Sequence, residues 1–322
     1  MDNSNYPENE REWKLIEKLL YKMQDSDRRE RRWRIFFRVL TFAYLFFITY
    51  QLMMTPGCQN TSLSEIASGD FTAVVAVKGP IMADTPTSAQ HINKGLQAAF
   101  ESSAKAVLID INSPGGSPVQ SGYVYDEIRR LKALHPDTPV YAVISDLGAS
   151  GAYFIAAAAD EIYVDKASIV GSIGVIMQNF NVEDMLDHLG IKARTLTAGE
   201  NKDILSPFKS LTETQKAHVQ TMLNEVHQQF IQAVKTGRGD RLIEDPAIFS
   251  GLFWSGETAV RLGLADGFGN INSISRDKLG AETAHDFSHK VDPVEELLRK
   301  YGANLSAGAL EELQAKSQTQ WH

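Results

Sequence analysis

Ser145-Asp146-Leu147-Gly148-Ala149-Ser150-Gly151-Ala152-Tyr153 decides how this chain is read. An apolar run, Val140 to Ile144, leads into it, and a small-residue run, Ala152 to Ala159, leaves it. That pattern predicts a buried strand, a tight turn and a helix. Ser150 falls where the helix begins, where free N–H groups and the helix dipole favour a negative oxygen. The small neighbours Gly148, Ala149, Gly151 and Ala152 allow a substrate backbone to approach closely. The competing reading is a serine that simply caps a helix.

Outward from that stretch, apolar runs and amphipathic stretches alternate. Strands are predicted at Phe71 to Val77, Ala106 to Ile111, Val140 to Ile144, Glu161 to Val164 and Ala193 to Ala198. Helices are predicted at Ala89 to Ser102, Val119 to Leu134, Ala152 to Ala159 and Thr212 to Lys235. Short strands alternating with helices imply an α/β fold of repeated βαβ units with a parallel sheet. Ligands of such sheets gather at the carboxyl ends of the strands. Two loops lie there in successive units: Asn112-Ser113-Pro114-Gly115-Gly116 and the Ser150 turn. Paired glycines at a strand end can point backbone N–H groups at a ligand.

The N-terminal part reads differently. Six arginines fall between Arg28 and Arg38, and Val39 to Met54 then runs sixteen residues without a charge. Residues 35–54 make twenty if Arg38 snorkels, about the thickness of a bilayer core. A transmembrane helix at 39–54, or 35–54, is therefore expected. The arginines precede the span, and no basic residue follows before Lys78. This places residues 1–38 in the cytoplasm and the large domain outside. Residues 55–70 read as a linker, 71–285 as the main domain, and 286–322 as a C-terminal helix and tail. Net charge is −8, which points away from nucleic acid. Cys58 is the single cysteine and can form no internal disulfide.

A serine hydroxyl needs a base before it can act as a nucleophile. Gly148-Ala149-Ser150-Gly151-Ala152 approximates a Gly-x-Ser-x-Gly elbow with alanine in the last place, but His188, His218 and His227 downstream sit in helical patterns without motif context. A Clp-type protease has its histidine about 25 residues beyond the serine, and Gly171-Ser172-Ile173-Gly174-Val175-Ile176-Met177 contains none. The remaining system is a lysine base, its pKa lowered from about 10.4 by burial and neighbours. Lys202 is a candidate, in the loop Gly199 to Phe208.

These motifs together resemble the signal peptide peptidase A family of membrane-bound serine proteases, in its short bacterial form. The resemblance runs from about Val74 to Gly269. It rests on Asp110 to Gly116, Gly148 to Tyr153, Gly171 to Val175, Lys202-Asp203 with Ser206-Pro207-Phe208, Gly237-Arg238, Gly256-Glu257 and Gly263 to Gly267. Ser150 and Lys202 are 52 positions apart, which also looks like the family. The resemblance implies a Clp protease/crotonase-like fold, with Ser150 as nucleophile, Lys202 as general base and Ser172 orienting the lysine amine. The Gly115 and Gly151 amides are the candidate oxyanion hole. It implies no metal or cofactor, and apolar peptide substrates, chiefly remnant signal peptides. It also implies a homo-oligomeric ring, octameric in the best-known case, with active sites shared between neighbours. The expected setting is the bacterial cytoplasmic membrane with the peptidase domain on its outer side. Asp203-Ile204-Leu205, before Ser206, is bulkier than the family's usual small residues. Two other classes stay open on sequence: a crotonase-like acyl-transfer enzyme and a non-catalytic membrane scaffold.

Overall fold

The computed structural model describes residues 18, 32–33, 35–48, 50 and 71–289. The chain divides into two compact units, residues 1–68 and 69–322. In the first unit, residues 35–48 and 50 are helical and expose Phe36, Phe37, Leu40, Phe42 and Phe46. Among the described residues, no helix is long and apolar enough to cross a membrane. Residues 51–54 of the expected span, the linker 55–70 and the tail 290–322 lie outside the described residues.

The second unit is an α/β domain around an eight-stranded sheet. Its strands are β1 (Phe71–Lys78), β2 (Val107–Ser113), β3 (Val140–Ala149), β4 (Glu161–Val164), β5 (Ile169–Gly171), β6 (Phe253–Ser255), β7 (Gly267–Phe268) and β8 (Thr283–Asp286). The order is β6-β5-β3-β2-β1-β8, with β4 pairing β3 and β7. Every pairing is parallel except β5 with β6. Strand β3 divides one edge between two partners: residues 141–144 pair with β4 and residues 147–149 with β5. Its register against β2 shifts as well, from Ile111 opposite Ile144 to Ser113 opposite Gly148. The extra residues on β3 form a bulge, and a bulge re-aims the strand beyond it. Here the re-aimed strand ends at Ala149 and delivers Ser150.

The helices are α1 (Ala89–Glu101), α2 (Pro118–Leu134), α3 (Gly151–Ala156), α4 (Glu183–His188), α5 (Glu213–Arg238) and α6 (Gly256–Arg261). Helix α2 starts at Pro118, with the Ser117 side chain accepting from the Gln120 amide. That is the ordinary chemistry of a helix start. Helix α5 begins with a capping box between Thr212 and Gln215. The α1, α2 and α3 faces bury Leu96, Phe100, Val124, Ile128 and Ile155 against the sheet.

One predicted strand does not form. Residues 191–197 carry no regular structure, and Leu196 is 99% exposed. An apolar alternation makes a strand only where a neighbouring edge and a core receive it, and this segment has neither among the described residues.

Helix α5 is 26 residues long, yet apart from Gln215 its buried residues are Phe230, Ala233, Val234 and Arg238, all near its C-terminus. Gly237 allows that end to dock: a Cβ there would lie 1.8 Å from the Ala157 carbonyl oxygen. Gly237→Ala is therefore expected to lower stability by about 1–3 kcal/mol through overpacking. Thermal unfolding checks this, and an unchanged Tm would contradict it.

Candidate active site

The β3 chain enters the Ser150 turn at a costly backbone geometry. Ser150 has φ 54° and ψ −126°, and its side chain makes no capping hydrogen bond. A non-glycine residue with positive φ outside the usual left-handed well is strained and persists only where its surroundings over-determine it. The helix-cap reading thus fails for the hydroxyl. The restraints on the backbone are visible. The Ser150 N–H donates to the Gly171 carbonyl at 2.8 Å, and the Phe154 N–H to the Ser150 carbonyl at 3.0 Å. Gly171 and Ser172 both have positive φ, 107° and 53°, and the Ser172 N–H donates to the Leu252 carbonyl at 2.8 Å.

The second glycine loop lies directly against this turn. A Cβ on Gly115 would come within 2.5 Å of the Gly151 nitrogen and 2.9 Å of Ser150 Cβ. A Cβ on Gly151 would lie 2.3 Å from Ser121 Oγ and 3.3 Å from the Gly116 nitrogen. Only glycines permit this contact. The Gly115 N–H donates to Ser113 Oγ at 3.1 Å, and the neighbouring Gly116 lines the cavity beside Ser150. Loop position is fixed from below by the parallel bridge between Ile81 and Gly116. Gly115→Ala should push the loop off the Ser150 turn and lower peptidase kcat/KM about 10²-fold or more, the size of losing one oxyanion donor. Unchanged peptide hydrolysis would refute this.

Ser150, Gly151 and Gly116 open onto a cavity of about 800 Å³. Its apolar wall comes from Tyr125, Phe154 and Phe230, whose rings are centred 5.0–5.2 Å apart through Phe154. Burial raises the Tyr125 phenol pKa above its ordinary value, with Arg129 opposing and Asp126 adding to the shift. Gly174, Val175 and Ile176 form another side. Helical spacing in the sequence marks these aromatics only as core residues, because nothing local says which cavity they face. Gly116, by contrast, is one position from a residue the sequence singles out.

Lys202 is not brought to this cavity within the chain. It is exposed, in the turn after Gly199, with its N–H donating to the Gly199 carbonyl at 3.1 Å. It does not line the Ser150 cavity. Its neighbour Asp203 is bonded by Lys209 at 2.9 Å, which holds that carboxyl below the usual range. The segment carrying Lys202 is tied to itself. Val182 N–H reaches Pro207, Ser210 reaches Glu183, and Gln215 reaches Asn201. The same segment exposes Ile176, Phe180, Leu189 and Leu196. Among the described residues, no group of three or more His, Cys, Asp or Glu is placed to hold a metal ion.

The comparisons with known proteins fall on this region. The sequence profile of peptidase family S49 matches residues 132–280, which include Ser150, Ser172 and Lys202. A Synechocystis sp. chain that carries a protease name is 31% identical over 224 residues, covering 66% of this chain and 79% of that one. The chain belongs to peptidase family S49, the signal peptide peptidase A family. A protease-named chain of Methanocaldococcus jannaschii is 38% identical over 169 residues, 52% of this chain and 53% of that one. A Brucella melitensis protein named Na(+)/H(+) antiporter NhaA is 43% identical over 213 residues, 64% of this chain. The match spans 29% of that protein. The chain therefore spans only 53% and 29% of the length of these two relatives.

Proposed function

We propose that this S49 chain is a serine endopeptidase with a Ser–Lys dyad, and that Ser150 is its nucleophile. The observation that carries the reading is the Ser150 hydroxyl itself. It sits uncapped on a strained turn, at the mouth of a cavity, against a glycine loop. Strain of this kind clusters at functional sites. In the proposed reaction the Lys202 amine, as free base, takes the Ser150 proton while Oγ adds to the scissile carbonyl. The Gly151 and Gly116 amides receive the resulting oxyanion; of the pair Gly115 and Gly151, Gly115 yields its place because its N–H is engaged by Ser113. The lysine then returns the proton to the leaving amine, and an acyl-enzyme remains on Ser150. Water, deprotonated by the same lysine, releases the acid. Ser172 orients the amine.

Because Lys202 does not line the Ser150 cavity of its own chain, the working site is assigned to two neighbouring copies in a ring. The exposed apolar residues between Ile176 and Leu196 support this, since such a surface is ordinarily covered. Ring closure requires each copy to offer one surface and receive the other. The helical, apolar residues 35–48 behind an arginine cluster support a membrane anchor with the N-terminus in the cytoplasm and the peptidase outside. The apolar cavity wall supports apolar peptides, remnant signal peptides among them, as substrates. Labelling with a fluorophosphonate tests the centre of the reading. The full chain should be labelled and Ser150→Ala should not be; equal labelling of both would end the proposal.

A further inference from the structure

We propose that His227 is a positioning residue for peptide binding, holding the cavity wall Ile173 to Ile176 in place through one hydrogen bond. The inference rests on reading the Ser150 cavity as the peptide site. His227 lies on α5, and its Nε2 is 3.1 Å from the Ile173 carbonyl oxygen. A carbonyl only accepts, so Nε2 carries the proton and donates. Ile173 is buried in the core and Gly174 packs against Gly251, but the wall has few hydrogen bonds. Before it, the Ser172 N–H is fixed to Leu252; after it, the next backbone tie is the Val182 N–H to Pro207. Among the described residues, the main chain of 173–178 has one hydrogen bond from outside itself, the one from His227.

Its position on α5 makes His227 a firm support. Phe230 and Val234 are buried one and two turns further along the helix, and Arg238 locks the helix end. The wall it holds, Gly174 to Ile176, lines the same cavity as Ser150. A peptide bound in that cavity packs against this wall, so a displaced wall costs binding rather than the acyl-transfer step.

The test uses the full chain with an apolar peptide and, separately, the small ester p-nitrophenyl acetate, which does not need the wall. His227→Leu should raise KM for the peptide about 10-fold, the size of one net hydrogen bond, with kcat and ester hydrolysis changed less than about threefold. His227→Gln, which can still present an amide donor, should return KM to within about threefold of the parent. An unchanged peptide KM in His227→Leu overturns the proposal. So does a parallel fall in ester hydrolysis, or a glutamine variant as weak as the leucine one. Fluorophosphonate labelling of the parent separates the two readings. An unlabelled parent removes the Ser150 assignment and this one with it, whereas a labelled parent with an indifferent His227→Leu removes only this one.

Discussion

On the proposed dyad, Ser150→Ala is expected to lower peptide kcat/KM by about 10⁴-fold or more, and Lys202→Ala by about 10³-fold, the size of losing a nucleophile or its base. The sharper result is expected on mixing. If each site takes its serine from one copy and its lysine from the next, neither variant alone has an intact site. A co-refolded or co-expressed equal mixture should regain about a quarter of the parent activity, since half the copies bring the serine and half the neighbours bring the lysine. The geometry behind this is the exposed Lys202 turn, apart from the Ser150 cavity of its own chain. A mixture no more active than its components would show that both groups work within one chain. Size-exclusion chromatography with light scattering should accompany the assay, because a parent that is active as a monomer would refute the shared site directly.

Asp266→Ala is expected to have the largest effect on stability, a loss of about 3–5 kcal/mol, because it leaves a buried guanidinium without its partner. Arg238 is 1% exposed and reaches Asp266 with two bonds, 2.7 and 3.0 Å, and the Gly263 carbonyl with a third at 2.7 Å. Asp266 also accepts from the Ile162 N–H at 2.7 Å, so one carboxylate joins α5 to β4 and β7. The Arg241 pair at 3.1 Å is on a more exposed guanidinium and adds little. The double change Arg238→Met with Asp266→Leu should recover much of the loss, since an apolar pair carries no desolvation cost. The pair also sets an acid limit. Burial alone would raise the Asp266 carboxyl, but the bonds from Arg238 and Ile162 and the guanidinium charges outweigh it and hold the pKa below its ordinary value. The stability it contributes is therefore complete above the ordinary carboxylate range, about pH 4, and falls away as pH drops through the lower folded value. Urea unfolding of parent and Asp266→Asn at pH 7 and near pH 3 should show a difference that shrinks on acidification. A constant difference would contradict the linkage.

Much of the domain is legible in the chain. The strands β1 to β4 and helices α1, α2 and α5 follow from apolar runs and helical spacing, with boundaries moved by only a few residues. The short strands β5 to β8 do not, because two to four residues carry no periodicity. The end of β3 is hidden too. Gly148 and Ala149 look like turn residues, yet they pair with Val170 and Gly171. At the site, the Ser150 turn and the Gly115-Gly116 loop are marked by their glycines. Which amide of that loop is available is not marked, because the Ser113 bond that engages Gly115 depends on the fold of the loop. His227 reads in sequence as a lone helical histidine, since its acceptor lies 54 residues away. The false strand at 193–198 has a related cause. Its apolar alternation is real, but no surface among the described residues receives it.

The tether behind Ser150 also sets an order of assembly. The serine's N–H needs the Gly171 carbonyl, and the Gly171-Ser172 turn in turn needs Leu252, at the doorstep of β6. A growing polypeptide can pair β1, β2 and β3 long before residue 252 has been made. Until then the Gly171-Ser172 turn lacks its Leu252 partner, and the costly conformation of Ser150 has one indirect restraint fewer. The full set of ties behind the Ser150 turn is thus complete only once residues more than a hundred positions apart in the chain have met.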